Sequence, residues 1–133
     1  MTRRILLCDD EYHILRASEI KFSRAGYDVT CASDGQEAWE TITSAEEPFD
    51  MVITDYQMPR LDGLGLVARL RENEATAELP VIMLTAKRFE LDEEHLQQDL
   101  RIECTVAKPF SPRELLMRVT QILEGAAFPA EVS

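Results

Sequence analysis

The chain alternates between short apolar runs and longer amphipathic stretches. Five short runs have the character of strands buried in a parallel sheet, where continuous apolar sequence is typical. They occupy positions 5–8, 28–32, 51–54, 81–84 and 102–107. Between and after them, apolar residues recur with helical spacing, which predicts helices. These helices cover about 12–25, 34–43, 62–73, 88–100 and 111–124, the fourth being a weak, acidic candidate.

The predicted helices carry recognisable end signals. Asp34 with Glu37 resembles a capping box, and Asp62 and Ser111 are suitable N-cap residues. Gly26 and Gly125 follow the first and last helices, where glycine commonly ends a helix. Strict alternation of strands and helices with short connections predicts an α/β domain with a doubly wound parallel sheet and helices on both faces. We expect one domain over 1–125 and a flexible tail over 126–133.

Charge and cysteine content narrow the classes of function. The chain has 25 acidic and 14 basic residues, a formal charge of -11, which repels nucleic-acid phosphates and anionic lipids. We therefore expect no direct nucleic-acid partner and no membrane partner. The three cysteines, Cys8, Cys31 and Cys104, all fall within predicted strands, which favours buried, reduced thiols. With no signal-peptide pattern at the N-terminus, we expect a cytoplasmic protein.

Polar residues with possible chemical roles follow four of the strands. Asp9 and Asp10 follow the first strand, Asp55 the third, Thr85 the fourth and Lys108 the fifth. Each has a simpler explanation alone, as a helix cap, a strand-ending hydroxyl or a solvated lysine. Their joint placement favours a shared pocket, because ligands of open parallel sheets bind beyond the carboxyl ends of the strands.

Closely spaced carboxylates indicate metal-assisted phosphoryl chemistry. Like charges a few ångströms apart resist being ionised together, and Mg²⁺ resolves that conflict with carboxylate, water and phosphate oxygens as ligands. Asp55 is the candidate nucleophile, since a carboxylate can form an acyl phosphate. Lys108 and Thr85 could then stabilise the phosphoryl oxygens. The acidic first loop would repel a bound nucleotide or flavin phosphate.

Four motifs in this order resemble the receiver domain of two-component response regulators. They are Ile5-Leu6-Leu7-Cys8-Asp9-Asp10-Glu11, Val52-Ile53-Thr54-Asp55-Tyr56-Gln57-Met58-Pro59 with Asp62-Gly63, Leu84-Thr85-Ala86, and Lys108-Pro109-Phe110. The resemblance implies a flavodoxin-like fold with strand order 2-1-3-4-5. It also implies that Asp55 accepts a phosphoryl group from a phosphohistidine on a sensor histidine kinase or a histidine phosphotransfer protein.

The resemblance assigns further roles, position by position. Asp10 and Asp55 would ligate Mg²⁺ directly, Asp9 would act through water, and the backbone carbonyl of Gln57 would complete the protein ligands. Gln57 and Lys87 would tune the lifetime of the phosphoryl group. The Lys108-Pro109 bond would be cis.

One position departs from the family pattern. Thr105 stands where an aromatic residue usually couples the pocket to the surface around the fourth helix, the fifth strand and the last helix. The family's usual threonine-aromatic switch, which would involve Thr85, is therefore not expected in its usual form.

We interpret the chain as a phosphoacceptor switch, apparently stand-alone, that changes its affinity for an unknown downstream protein. It would be no enzyme beyond catalysing its own phosphorylation and dephosphorylation. One alternative is a Mg²⁺-dependent aspartyl phosphohydrolase of the haloacid dehalogenase type, which would usually have aspartate where Gln57 stands. Another is a degenerate receiver that only mediates contacts. His13 and His95 are more typical of surface or helix-lining positions.

Overall fold

The computed structural model describes residues 2–86 and 98–125. Within those ranges the chain forms five strands and four helices that alternate until the fourth strand. The strands are β1 (Arg4–Cys8), β2 (Asp28–Ala32), β3 (Met51–Asp55), β4 (Val81–Thr85) and β5 (Cys104–Ala107). The helices are α1 (Tyr12–Arg24), α2 (Gly35–Ser44), α3 (Gly63–Glu72) and α4 (Pro112–Glu124).

All five strands form one parallel sheet in the order β2-β1-β3-β4-β5. This confirms the predicted fold class and strand order. The register pairs Cys8 with Thr54 and Thr85 with Ala107, so neighbouring strands end at nearly the same level. The residues that follow these ends are thereby brought to one edge of the sheet.

The sheet is covered by an apolar core on each face. Side chains alternate along a strand, so Leu6 and Cys8 belong to one core cluster while Ile5 and Leu7 belong to the other. The first cluster also contains α2 and α3 residues such as Ala38 and Leu66, whereas the second contains Phe22, Leu115 and Val119 from α1 and α4. Of the helices in the described ranges, two therefore lie on each face.

The predicted caps form where the sequence placed them. Asp34 Oδ1 accepts from the Glu37 N–H at 2.8 Å, and Asp62 Oδ1 accepts from the Gly65 N–H at 2.8 Å. Ser111 Oγ accepts from the Glu114 N–H at 3.1 Å. Gly26 and Gly125 have positive φ angles of 99° and 65°, values that glycine adopts without steric cost.

The structure corrects two expectations, and two more concern residues that lie mostly or wholly outside the described ranges. β5 begins at Cys104, two residues later than predicted, although Ile102 is still buried in the core. All three cysteines are free and lie in strands, but only Cys8 is fully buried, where burial raises the pKa of its thiol to about 12. Most of the predicted helix over 88–100, and the tail over 126–133, fall outside the described residues.

None of the helices in the described part of the chain combines the length and the hydropathy that crossing a membrane requires.

Candidate functional site

The carboxyl edge of the sheet carries a cavity of about 290 Å³. Residues that follow β1, β3, β4 and β5 line it, which is the convergence the strand ends predicted. The lining residues are Asp10, Glu11, Asp55, Tyr56, Gln57, Thr85, Ala86 and Lys108. Asp9 is fully buried and contacts Lys108, one of the lining residues.

The ammonium group of Lys108 lies at the centre of this site. Its Nζ is 3.0 Å from Asp9 Oδ2, 3.0 Å from Glu11 Oε1 and 3.1 Å from Asp55 Oδ2. The backbone fixes its position, because the Lys108 N–H donates to the Thr85 carbonyl at 2.9 Å at the end of β5. The peptide bond between Lys108 and Pro109 is cis, as the resemblance implied.

Asp9 both orders the start of α1 and contributes charge to the site. Its Oδ1 accepts from the Glu11 N–H at 2.9 Å, which orders the residue just before α1 and is not a side-chain cap of the helix itself. Its buried Oδ2 has no aligned hydrogen bond and is held by the ion pair with Lys108. Such a carboxylate oxygen is available to a second cation.

Asp55 ends β3, and its two carboxylate oxygens have different partners. Oδ1 accepts from the Tyr56 N–H at 2.9 Å, and Oδ2 accepts from Lys108. Burial raises the pKa of Asp55 to about 6; Lys108 opposes this shift and the charge of Asp9 adds to it. Burial also raises the pKa of Asp9.

Burial lowers the pKa of a lysine, whereas it raises the pKa of a carboxyl group. Alone it would lower the pKa of the Lys108 ammonium, but the contacts with Glu11, Asp9 and Asp55 outweigh it and raise the pKa. Lys108 is therefore a charged ammonium at neutral pH. It offsets part of the repulsion between the surrounding carboxylates.

The donor set fits a hard divalent cation. One carboxylate oxygen each from Asp9, Glu11 and Asp55 lie within 4.8 Å of one another. Mg²⁺ is bound by one or two carboxylates together with waters and phosphate oxygens, so these residues suit it. Asp10, which the resemblance implied as a direct ligand, is exposed and lines the same cavity but lies outside this close cluster.

Glu11 is the residue that sequence reasoning missed. Its backbone is extended, with φ of -95° and ψ of 105°. Side chains alternate in extended backbone, so positions 9 and 11 tend to face the same side. That alternation within the run from Asp9 to Glu11 was the available signal.

Some of the remaining predicted residues lie at the cavity, and others lie elsewhere in the chain. Thr85 is buried at the end of β4, and Gln57 lines the cavity beside Asp55. Thr105 pairs in register with Met83 and lines a separate groove between β5 and α4. His13 is exposed on α1, while Lys87 and His95 lie outside the described residues.

The comparison with protein families identifies the class. Residues 5–120 match the response regulator receiver domain. The chain therefore belongs to this family, whose members are the phosphoacceptor switches of two-component signalling.

Individual relatives agree with this assignment. The chain is 38% identical over 133 residues to the alkaline phosphatase synthesis transcriptional regulatory protein PhoP of Bacillus subtilis, covering all of this chain and 53% of PhoP. It is 39% identical over 127 residues to the probable transcriptional regulator ycf27 of Cyanophora paradoxa, covering 96% of this chain and 51% of that protein. The chain thus spans about half the length of these curated relatives.

Solved structures show the same fold. The chemotaxis response regulator CheY4 of Vibrio cholerae superposes with a TM-score of 0.81 at 30% identity, covering 92% of this chain and all of CheY4. The receiver domain of the sensor histidine kinase PA1611 of Pseudomonas aeruginosa superposes with a TM-score of 0.79 at 29% identity, covering 95% of this chain and all of that one. That structure contains a magnesium ion coordinated in its active-site cleft.

Proposed function

We propose that Asp55 is the phosphoacceptor of this receiver domain and that the reaction requires Mg²⁺. The supporting observation is the buried carboxylate of Asp55 at the floor of an open acidic cavity, with Oδ2 3.1 Å from Lys108 Nζ. An Asp55 oxygen attacks the phosphorus of a phosphohistidine. The P–N bond breaks, and the histidine nitrogen leaves with the electron pair.

The side chains around Asp55 have distinct tasks in this proposal. Asp9, Asp10, Asp55 and the carbonyl of Gln57 would hold Mg²⁺, with Glu11 beside them in the cluster of acids. The ion would offset charge on the acids and on one phosphoryl oxygen. Lys108 pairs with a second oxygen, and the Thr85 hydroxyl donates to a third. Gln57 and Lys87 tune the lifetime of the acyl phosphate.

We expect the phosphoryl donor to be a sensor histidine kinase or a histidine phosphotransfer protein, and with it a cytoplasmic location. Phosphorylation shifts the population between inactive and active arrangements through Thr85 and Lys108. Thr105 occupies the position at which the family usually has an aromatic residue. We expect the downstream protein to detect the shift at the groove between β5 and α4, without an aromatic side chain at that position. The result is a changed affinity for a downstream protein.

Mass spectrometry tests this assignment directly. Wild-type protein mixed with Mg²⁺ and acetyl phosphate should gain one labile phosphoryl adduct, and peptide mapping should place it on Asp55. Asp55→Asn should gain none, because an amide cannot form the acyl phosphate. Glu46→Gln, a conservative change at an exposed acid after α2, should label like wild type. Equal labelling of Asp55→Asn would contradict the proposal.

A further inference from the structure

Three carboxylates surround the Lys108 ammonium, but they are not equivalent. The side chains of Asp9 and Asp55 are 0% and 9% exposed, whereas that of Glu11 is 59% exposed. Building on the function proposed above, we infer that Glu11 is a positioning residue. The Glu11 carboxylate holds the Lys108 ammonium in its observed position while Asp55 is unphosphorylated. It releases the ammonium when the phosphoryl group is present.

The hydrogen-bonding capacity of lysine supports this division of roles. An ammonium group has three N–H donors; Lys108 Nζ donates to Glu11 Oε1 and Asp55 Oδ2, and it lies 3.0 Å from Asp9 Oδ2 without an aligned hydrogen bond. A phosphoryl oxygen on Asp55 therefore competes with these acids for the Lys108 ammonium.

Glu11 is the acid whose release costs least. A buried carboxylate that loses its cationic partner leaves an uncompensated charge, whereas an exposed one is solvated by water. Glu11 is also at the N-cap of α1, where the helix dipole favours a negative charge even without Lys108. Its side chain makes no capping hydrogen bond to α1, so its carboxylate is committed to no other contact there.

The energetic consequence has a definite sign. A contact made only in the unphosphorylated state stabilises that state and opposes phosphoryl binding by the same free energy. An exposed ion pair of this kind corresponds to about a 1.5- to 5-fold change in an equilibrium constant. Removing the Glu11 charge should therefore favour the phosphorylated arrangement.

Calorimetric titration with beryllofluoride, a phosphoryl mimic, measures this change at equilibrium. The titrations are made at saturating Mg²⁺, so that a difference in metal affinity between the proteins does not affect the comparison. Under these conditions Glu11→Gln should bind the mimic about 1.5 to 5 times more tightly than wild type. Glu11→Asp should lie between them. Glu78→Gln, at an exposed acid paired with Arg101 at 3.3 Å, should match wild type.

The NMR signal of Lys108 Nζ separates a positioning role from a general charge effect. Glu11→Gln should shift this signal in the free protein, and the difference from wild type should disappear with beryllofluoride bound. Unchanged affinity in Glu11→Gln, or a difference that persists in the bound state, would overturn the inference. If wild type fails to bind the mimic, or Asp55→Asn binds it equally well, the phosphoacceptor proposal itself fails.

Discussion

Lys108 Nζ lies 3.1 Å from Asp55 Oδ2 even though their strands, β5 and β3, are separated by β4. Neighbouring strands are about 4.8 Å apart, so the lysine side chain spans the end of β4 to reach Asp55. Thr85 and Ala86, which have small side chains, lie at that end and line the same cavity as Lys108. The same reach places Lys108 Nζ 3.0 Å from Oδ2 of Asp9, the residue that follows β1.

Removing the Lys108 charge should destabilise the metal-free domain. In Lys108→Met the carboxylates of Asp9 and Asp55 stay buried without their shared cation. Breaking a buried pair in this way costs about 3 kcal/mol. We expect a loss of that order in urea unfolding in EDTA at pH 7, and a larger stabilisation by Mg²⁺ than in wild type, because the ion replaces the missing positive charge.

Lys21→Met is the matched control for that experiment, since Lys21 is exposed on α1. Its stability should be close to wild type with and without Mg²⁺. A Lys108→Met protein as stable in EDTA as wild type would show that the two acids do not depend on the lysine.

The raised pKa of Asp55 predicts how stability depends on pH. Its pKa rises from 3.8 to about 6 on folding, so between these values the folded protein binds a proton that the unfolded chain does not. The contribution of Asp55 to unfolding free energy therefore falls as pH rises through this window. A shift of two units corresponds to about 3 kcal/mol as an upper value.

Asp55→Asn should remove this pH dependence. In EDTA, the unfolding free energy of the variant relative to wild type should increase by about 1 to 3 kcal/mol between pH 4 and pH 7. Urea titrations at both pH values measure it, with Glu46→Gln as the exposed acid-to-amide control. A relative stability that is independent of pH would mean that Asp55 is not desolvated as its surroundings indicate.

Much of the fold follows from sequence, because its signals are local and agree with one another. Apolar runs place the strands, and Asp34, Asp62 and Ser111 cap the helices that they precede. Strand order is not a local property. Alternation gives a parallel sheet, but the adjacency of β1 and β3 was expected only from resemblance to a known family.

The candidate site was likewise predictable only in part from the sequence. Strand ends indicated that Asp9, Asp55 and Lys108 would converge, since a parallel sheet brings such positions to one edge. The participation of Glu11 depends on the backbone direction between β1 and α1 and on the reach of Lys108 across β4. Neither of these is encoded in a motif; the resemblance implied Asp10 as a direct metal ligand and assigned no role to Glu11.

The glycines of α3 offer a test of how tightly Asp55 is held. A Cβ at Gly63 would lie 2.2 Å from the Asp55 carbonyl oxygen and 2.9 Å from Met83 Sδ, so Gly63→Ala must displace the β3 end. We expect a loss of about 1 to 3 kcal/mol in stability and slower labelling by acetyl phosphate. At Gly65 the nearest atom, at 2.7 Å, is the mobile end of the Leu61 side chain, so Gly65→Ala should be near neutral and label normally. Equal behaviour of the two variants in denaturation and labelling would mean that the backbone of Asp55 tolerates displacement.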